Sequence, residues 1–217
     1  MLSRIASTLV PVLGRLSVTS ELPGPIAPGS IVVANHSSLA DPGVVLAALH
    51  RLGTEPVVMA AAGLWRVPAL GAVLRAGRHI PVQRGTARAA EALDLAAAAL
   101  AAGRVVLIYG EGGLPKRRDP RDAEPRAFRT GPARLATASG APVVPLGQCG
   151  ARRLSSGSTT KQLAGFATAP LRRPALHVHL GAPVRLPGDI TEATAAAHHA
   201  VTTAWRAAEG HLTDRYS

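Results

Sequence analysis

The sequence is poor in several things at once. Aromatic residues make up only 3%. Single-stranded nucleic-acid binders stack bases on aromatic side chains, so this scarcity argues against a nucleic-acid partner even at a formal charge of +11. Cysteine occurs once, at Cys149, which excludes an intrachain disulfide and a cysteine-based zinc cluster and points to a reducing, cytoplasmic compartment. Lysine is nearly absent: only Lys116 and Lys161 among 24 basic residues. No run approaches the ~20 apolar residues of a spanning helix. The best N-terminal stretch, Ile5 to Gly14, is bounded by Arg4 and Arg15 and lacks a small-residue cleavage site after it. The expectation is a soluble or peripheral protein whose arginine excess answers to its partners.

What is present suffices for a core. Apolar residues make up 47% of 217, enough for one domain without staples. Leu2, Ile5, Leu9, Val12, Leu13 and Leu16 recur at helical spacing, so residues 1–20 read as an amphipathic helix with a bend at Pro11. It either packs on the domain or lies on a membrane surface. Strands are then expected at Ile31–Ala34, Val57–Met59, Ile80–Val82, Val105–Tyr109, Val143–Leu146 and Leu176–Leu180. Between them fall helices from Pro42 with Asp41 as cap, over Ala87–Ala102 and over Thr130–Ser139, and a last one runs from about Thr191 to Glu209 behind Asp189. Residues 115–126 read as a basic surface loop. Strand–helix alternation predicts an α/β sandwich, one domain over 21–217.

Familiar site patterns are missing: no phosphate-binding G-x-x-x-x-G-K-[ST] loop, no H-E-x-x-H zinc helix, no G-x-S-x-G elbow. One constellation remains, Asn35-His36-Ser37-Ser38-Leu39-Ala40-Asp41, at the carboxyl end of an apolar strand, where open α/β sheets bind ligands. A carboxylate five residues after a histidine, across a strand-to-helix turn, can fix the imidazole tautomer and stabilise the imidazolium. The bland alternative makes Asp41 a helix cap and His36 an ordinary turn residue. His177 and His179 alternate on one strand face without an evident third ligand, so a metal site is not expected. His198 and His199 read as surface residues, His79 as a candidate for the site lining, and Cys149 as a buried structural thiol.

Three further segments complete an ordered series: Gly77-Arg78-His79-Ile80-Pro81-Val82-Gln83-Arg84-Gly85, Tyr109-Gly110-Glu111-Gly112, and Ala141-Pro142-Val143-Val144-Pro145-Leu146. Together with the His36 block they resemble the four motif blocks of the glycerolipid (1-acylglycerol-3-phosphate) acyltransferases. Phe128-Arg129-Thr130-Gly131 and Gly181-Ala182-Pro183-Val184 are similar to that family's connecting segments. The resemblance implies a single-domain mixed sheet flanked by helices. It also implies acyl transfer from acyl-CoA or acyl carrier protein to a lysophospholipid hydroxyl, with no cofactor or metal. His36 would be the general base and Asp41 its orienting carboxylate. Asn35, Arg84, Glu111, Gly112, Gly113 and Pro145 would bind substrate, Arg84 through the acceptor phosphate and Gly112 and Gly113 through backbone N–H groups. The setting would be the cytoplasmic, inner face of the cell membrane, against its anionic surface.

One departure stands out. Where the family's third block ends in threonine and a phosphate-binding arginine, this chain has Gly113 and Leu114. Either Lys116, Arg117 or Arg118 replaces that arginine, or the acceptor is another lysolipid or a specialised metabolite. A silent, basic lipid-binding module is the alternative from a different class.

Overall fold

The computed structural model describes residues 1–85, 89–115 and 121–216, side chains through 214. Seven strands form one sheet: β1 (Arg15–Ser20), β2 (Ile31–Ala34), β3 (Val57–Ala61), β4 (Ile80–Val82), β5 (Val106–Tyr109), β6 (Val143–Cys149) and β7 (Ala175–Leu180). Their order is β1-β7-β6-β2-β5-β3-β4. All neighbours run parallel except β6 and β7, and β1 runs parallel to β7, so the last two strands of that edge are reversed. The sheet is therefore mixed, as the family resemblance implied.

Helices cover both faces. On one lie α1 (Leu2–Leu13), α2 (Asp41–Arg51) and α6 (Thr159–Arg172), which share a core with Val32, Ala34, Leu107, Val144 and Leu146. On the other lie α4 (Ala89–Ala101), α5 (Gly131–Ser139) and α7 (Ile190–Tyr216), packed on Ile31, Val33, Val106 and Val143. A short α3 (Pro68–Ala76) leads into β4. Because β2 is central, all four of its residues, Ile31-Val32-Val33-Ala34, are fully buried. A continuous β-branched run is what a strand covered on both faces requires. Helix α7 approaches β6 so closely that a Cβ on Gly147 would sit 2.2 Å from the backbone of Ala204 and Trp205.

The expected N-terminal helix over 1–20 is corrected. It ends at Leu13, Gly14 is extended, and Arg15–Ser20 joins the sheet edge through a six-residue parallel ladder to β7. Leu16 fits either period. The strand wins because Ser17 and Thr19 meet the imidazoles of His177 and His179 at 2.7–2.9 Å. Sequence reasoning assigned no element to residues 159–172, where α6 forms. Only Ala169 of that helix is buried, so it carries little apolar periodicity. The expected Ala87–Ala102 helix is seen from Ala89, and its first two expected residues lie outside the described ones.

Candidate active site

His36 leaves the carboxyl end of β2 in a turn fastened from three sides. Asp41, fully buried at the first position of α2, accepts from His36 Nδ1–H at 3.0 Å with the same oxygen that accepts the N–H groups of Ser37 and Ser38. It is thus not the N-cap expected from sequence, a place held by Ala40; its carboxylate folds back onto the histidine turn. A carboxylate can only accept, so Nδ1 carries the proton and Nε2 of the neutral ring is left basic. Tyr109 at the end of β5 stacks on the imidazole, centroids 4.4 Å apart. Its phenol is buried without a partner, and burial, then the Asp41 charge, push its pKa well above the usual value.

The second fastening comes from the end of β6. Asn35 Nδ2 donates to the Gln148 carbonyl and Asn35 Oδ1 accepts the Gln148 N–H, a reciprocal clasp 113 residues apart in sequence. Asn35, expected to bind substrate, lines the cavity beside His36 while its amide makes these two bonds to Gln148. Beneath, Arg152 Nη1 donates to the Ser37 carbonyl and Ser38 Oγ donates to that of Ser155.

The third fastening is Glu111. Its Oε1 accepts the His36 N–H at 2.7 Å and its Oε2 accepts from Arg126 Nε at 3.0 Å. Expected to bind substrate, this buried carboxylate lines the cavity and also positions the histidine backbone. Arg126 also donates to the Gly113 carbonyl. Arg84, exposed in the turn after β4, brings Nη1 within 3.5 Å of where a Gly113 side chain would begin. Two guanidinium groups therefore converge on Gly113. Gly112 has φ of +67°, and a Cβ there would strike Arg129.

These groups open on a small cavity of about 80 Å³ lined by Asn35, His36, Ser37, Glu111, Arg126 and Arg152, with Pro115, Ala123 and Glu124 completing the wall. A family model, Acyltransferase, matches residues 15–148.

The chain belongs to the acyltransferase family. No curated protein matches it in sequence. Its fold is similar to the crystal structure of the 1-acyl-sn-glycerophosphate (LPA) acyltransferase PlsC from Thermotoga maritima. The TM-score is 0.71 at 20% identity, over 99% of this chain and 81% of that one.

Other expected residues of this acyltransferase fall elsewhere. Pro145 lies inside β6 beside Val33 and accepts from Gly181 N–H, away from the His36 cavity. His79 does not line it either. Its Nδ1 accepts from Val58 N–H, and it borders a separate cavity of about 300 Å³ with Glu55, Arg78 and Arg104. Burial chiefly, helped by nearby cations, lowers its pKa. His177 is buried on Ser17 and Thr19 and stacked on His211 at 4.0 Å. No cluster that could hold a metal occurs among the described residues. His198, expected at the surface, is half-buried and donates to the Pro125 carbonyl. Burial, first among its causes, raises the Cys149 thiol pKa, as befits a structural residue. Lys116, Arg117 and Arg118 lie outside the described residues.

Sequence reasoning missed Tyr109, Arg126, Gln148 and Arg152 as parts of the site. Arg126 stood in the basic stretch already noted, but nothing local signalled that it turns back to Glu111. Asp122 was missed too. It accepts from Gly150 N–H at 2.9 Å, its other oxygen is buried without a partner, and burial chiefly raises its pKa to about 6.

Proposed function

We propose that this acyltransferase moves a fatty acyl group from acyl-CoA or acyl carrier protein to the free hydroxyl of a lysophosphatidate-like acceptor, making phosphatidate. The observation that carries the reading is the His36–Asp41 pair, with Nδ1–H bonded to carboxylate at 3.0 Å, at the end of the central strand. His36 Nε2 takes the acceptor's hydroxyl proton as its oxygen bonds to the thioester carbonyl carbon. The tetrahedral oxyanion then reforms the carbonyl and expels the thiolate, which recovers the proton from the imidazolium. Ester and thiol are the products, and the balance needs no cofactor or metal. The Gly113 backbone N–H is suited to the oxyanion, that of Gly112 donating to the Tyr109 carbonyl. Arg84 and Arg126, meeting at Gly113, are suited to the acceptor phosphate in place of the arginine that Leu114 displaces. The setting proposed is peripheral, at the cytoplasmic face of the cell membrane.

The test supplies purified protein with acyl-CoA or acyl carrier protein and lysophosphatidate, following thiol release and phosphatidate. Turnover that His36→Ala abolishes is expected. Absence of turnover with every donor, or undiminished turnover in His36→Ala, refutes the reading in favour of a silent lipid-binding module. Leu114 favours a second reading, the same transfer onto another lysolipid or a non-phosphorylated metabolite, and a panel of acceptors separates the two.

A further inference from the structure

Helices α1 and α6 pack on the same face of the sheet and touch each other, Arg173 of the segment after α6 donating to the Pro11 carbonyl of α1. Their inner sides are accounted for: Ala6 and Val10 of α1, and Phe166 and Ala169 of α6, enter the core. Their outer sides mix polar residues (Arg4 and Thr8, Lys161 and Thr168) with large apolar ones, where an outer helix face in water is ordinarily polar throughout. On α1, Ile5 is 41% exposed, Leu9 55% and Val12 56%; on α6, Leu163 is 66% exposed and Leu171 90%. Because both helices lie on one side of the sheet, these apolar side chains point outward on that same side. Leu39, 60% exposed between His36 and Asp41, adds another at the rim of the site.

The charge beside α6 has one sign, while at the start of α1 Arg4 is paired with Glu55. Residues 125–188 contain no aspartate or glutamate, and Arg153, Lys161, Arg172 and Arg173 are exposed beside α6. Two adjoining helices with exposed large apolar side chains, and a basic border along α6, have the composition of an interfacial surface. A second copy of the chain fits poorly, since a two-fold interface would set this basic border against itself. No helix among the described residues is long and apolar enough to cross a membrane, so contact of this kind is in the plane of the surface.

We propose that the joined outer faces of α1 and α6 dock on an anionic phospholipid bilayer, with Leu163 and Leu171 entering the headgroup boundary and Arg153 and Lys161 meeting lipid phosphates. This names the surface for the peripheral setting proposed above, and rests on that setting but not on the chemistry.

The experiment sediments the full chain with vesicles of phosphatidylcholine alone or with phosphatidylglycerol added. The wild type is expected to bind the anionic vesicles about tenfold or more tightly. Leu163→Gln with Leu171→Gln should weaken that binding about tenfold or more, and Arg153→Gln with Lys161→Gln should weaken binding to anionic vesicles only. The apolar pair is so exposed that its thermal midpoint should match the wild type; Leu171→Gln alone should give a smaller loss in the same direction. Failure of the wild type to bind, or equal binding by the apolar pair, overturns the proposal. So does a pair whose loss is of self-association or of carrier-protein binding rather than of vesicle binding. Thiol release from a soluble short-chain thioester to a soluble acceptor should be unchanged in the apolar pair. If the wild type lacks that activity, acyl transfer fails while the vesicle result stands by itself.

Discussion

The Oδ2 atom of Asp41 accepts three hydrogen bonds at once, from His36 Nδ1–H and from the N–H groups of Ser37 and Ser38, and so sets ring tautomer and turn together. Asp41→Asn keeps the shape, but its amide cannot hold the same proton arrangement. We expect turnover to fall about 10²–10⁴-fold with KM little changed. Steady-state kinetics on protein with an unaltered thermal midpoint is the check. A loss confined to KM would show that the pair binds substrate instead.

Tyr109 gives a prediction of opposite sign. Its ring supports His36, but its buried hydroxyl has no partner. Tyr109→Phe keeps the ring and removes the orphaned group, so stability should rise by about 1 kcal/mol with activity retained. Tyr109→Leu should lower turnover, because the stacking surface is lost. Denaturant unfolding and thiol release read the two effects separately.

Arg126 reaches both Glu111 and Gly113. If it also holds phosphate, Arg126→Ala should lower kcat/KM for phosphorylated acceptors by a further ~10-fold or more over acceptors without phosphate, since a hydrogen bond to a charged group is worth about 1.5–3 kcal/mol. Arg84→Ala should do the same. An equal loss on both acceptor types would assign Arg126 to positioning alone.

Asp122 makes stability depend on pH. Its folded-state pKa is raised to about 6 by burial, above its unfolded value of 3.8, so the folded protein binds more protons between them. The contribution of Asp122 is therefore intact below pH 3.8, declines as pH rises through about 6, and is flat above. Asp122→Asn should be stabilised relative to wild type at neutral pH by roughly 1–3 kcal/mol, the gain vanishing in acid. Unfolding curves across that range test this, and a gain independent of pH would be inconsistent with it.

Gly147 is fixed by its neighbour. Gly147→Ala would drive a methyl into the backbone of α7 at Ala204 and Trp205, so a loss of about 2–4 kcal/mol is expected. A thermal midpoint at the wild-type value would mean that α7 can yield.

Local information carried much of this molecule. The run Ile31–Ala34 betrayed a buried central strand because it is continuous and β-branched, and the residues after it therefore marked the sheet edge that bears His36 and Asp41. Where two periods fit one segment, local reading failed. Leu16 continued a helical stripe, and only the distant His177 and His179 make Arg15–Ser20 a strand. The site was legible in its chemistry but not in its scaffolding. Asn35 and Glu111 were recognised, yet their partners Gln148 and Arg126 lie 113 and 15 residues away, and no spacing rule joins them. Helix α6 escaped notice for another reason: a helix that buries one alanine leaves no stripe to read.

The pairing of β1 with β7 has a consequence for how the chain comes into being. Ala175, the sheet partner of Arg15, is made 160 residues after it. During synthesis the first strand waits without a sheet partner while β2 to β6 can already assemble, so this end of the sheet is the last to form. Loop-closure entropy makes such distant pairing slow. A nascent chain stalled before residue 175 would carry an unpaired strand, the form most exposed to wrong partners.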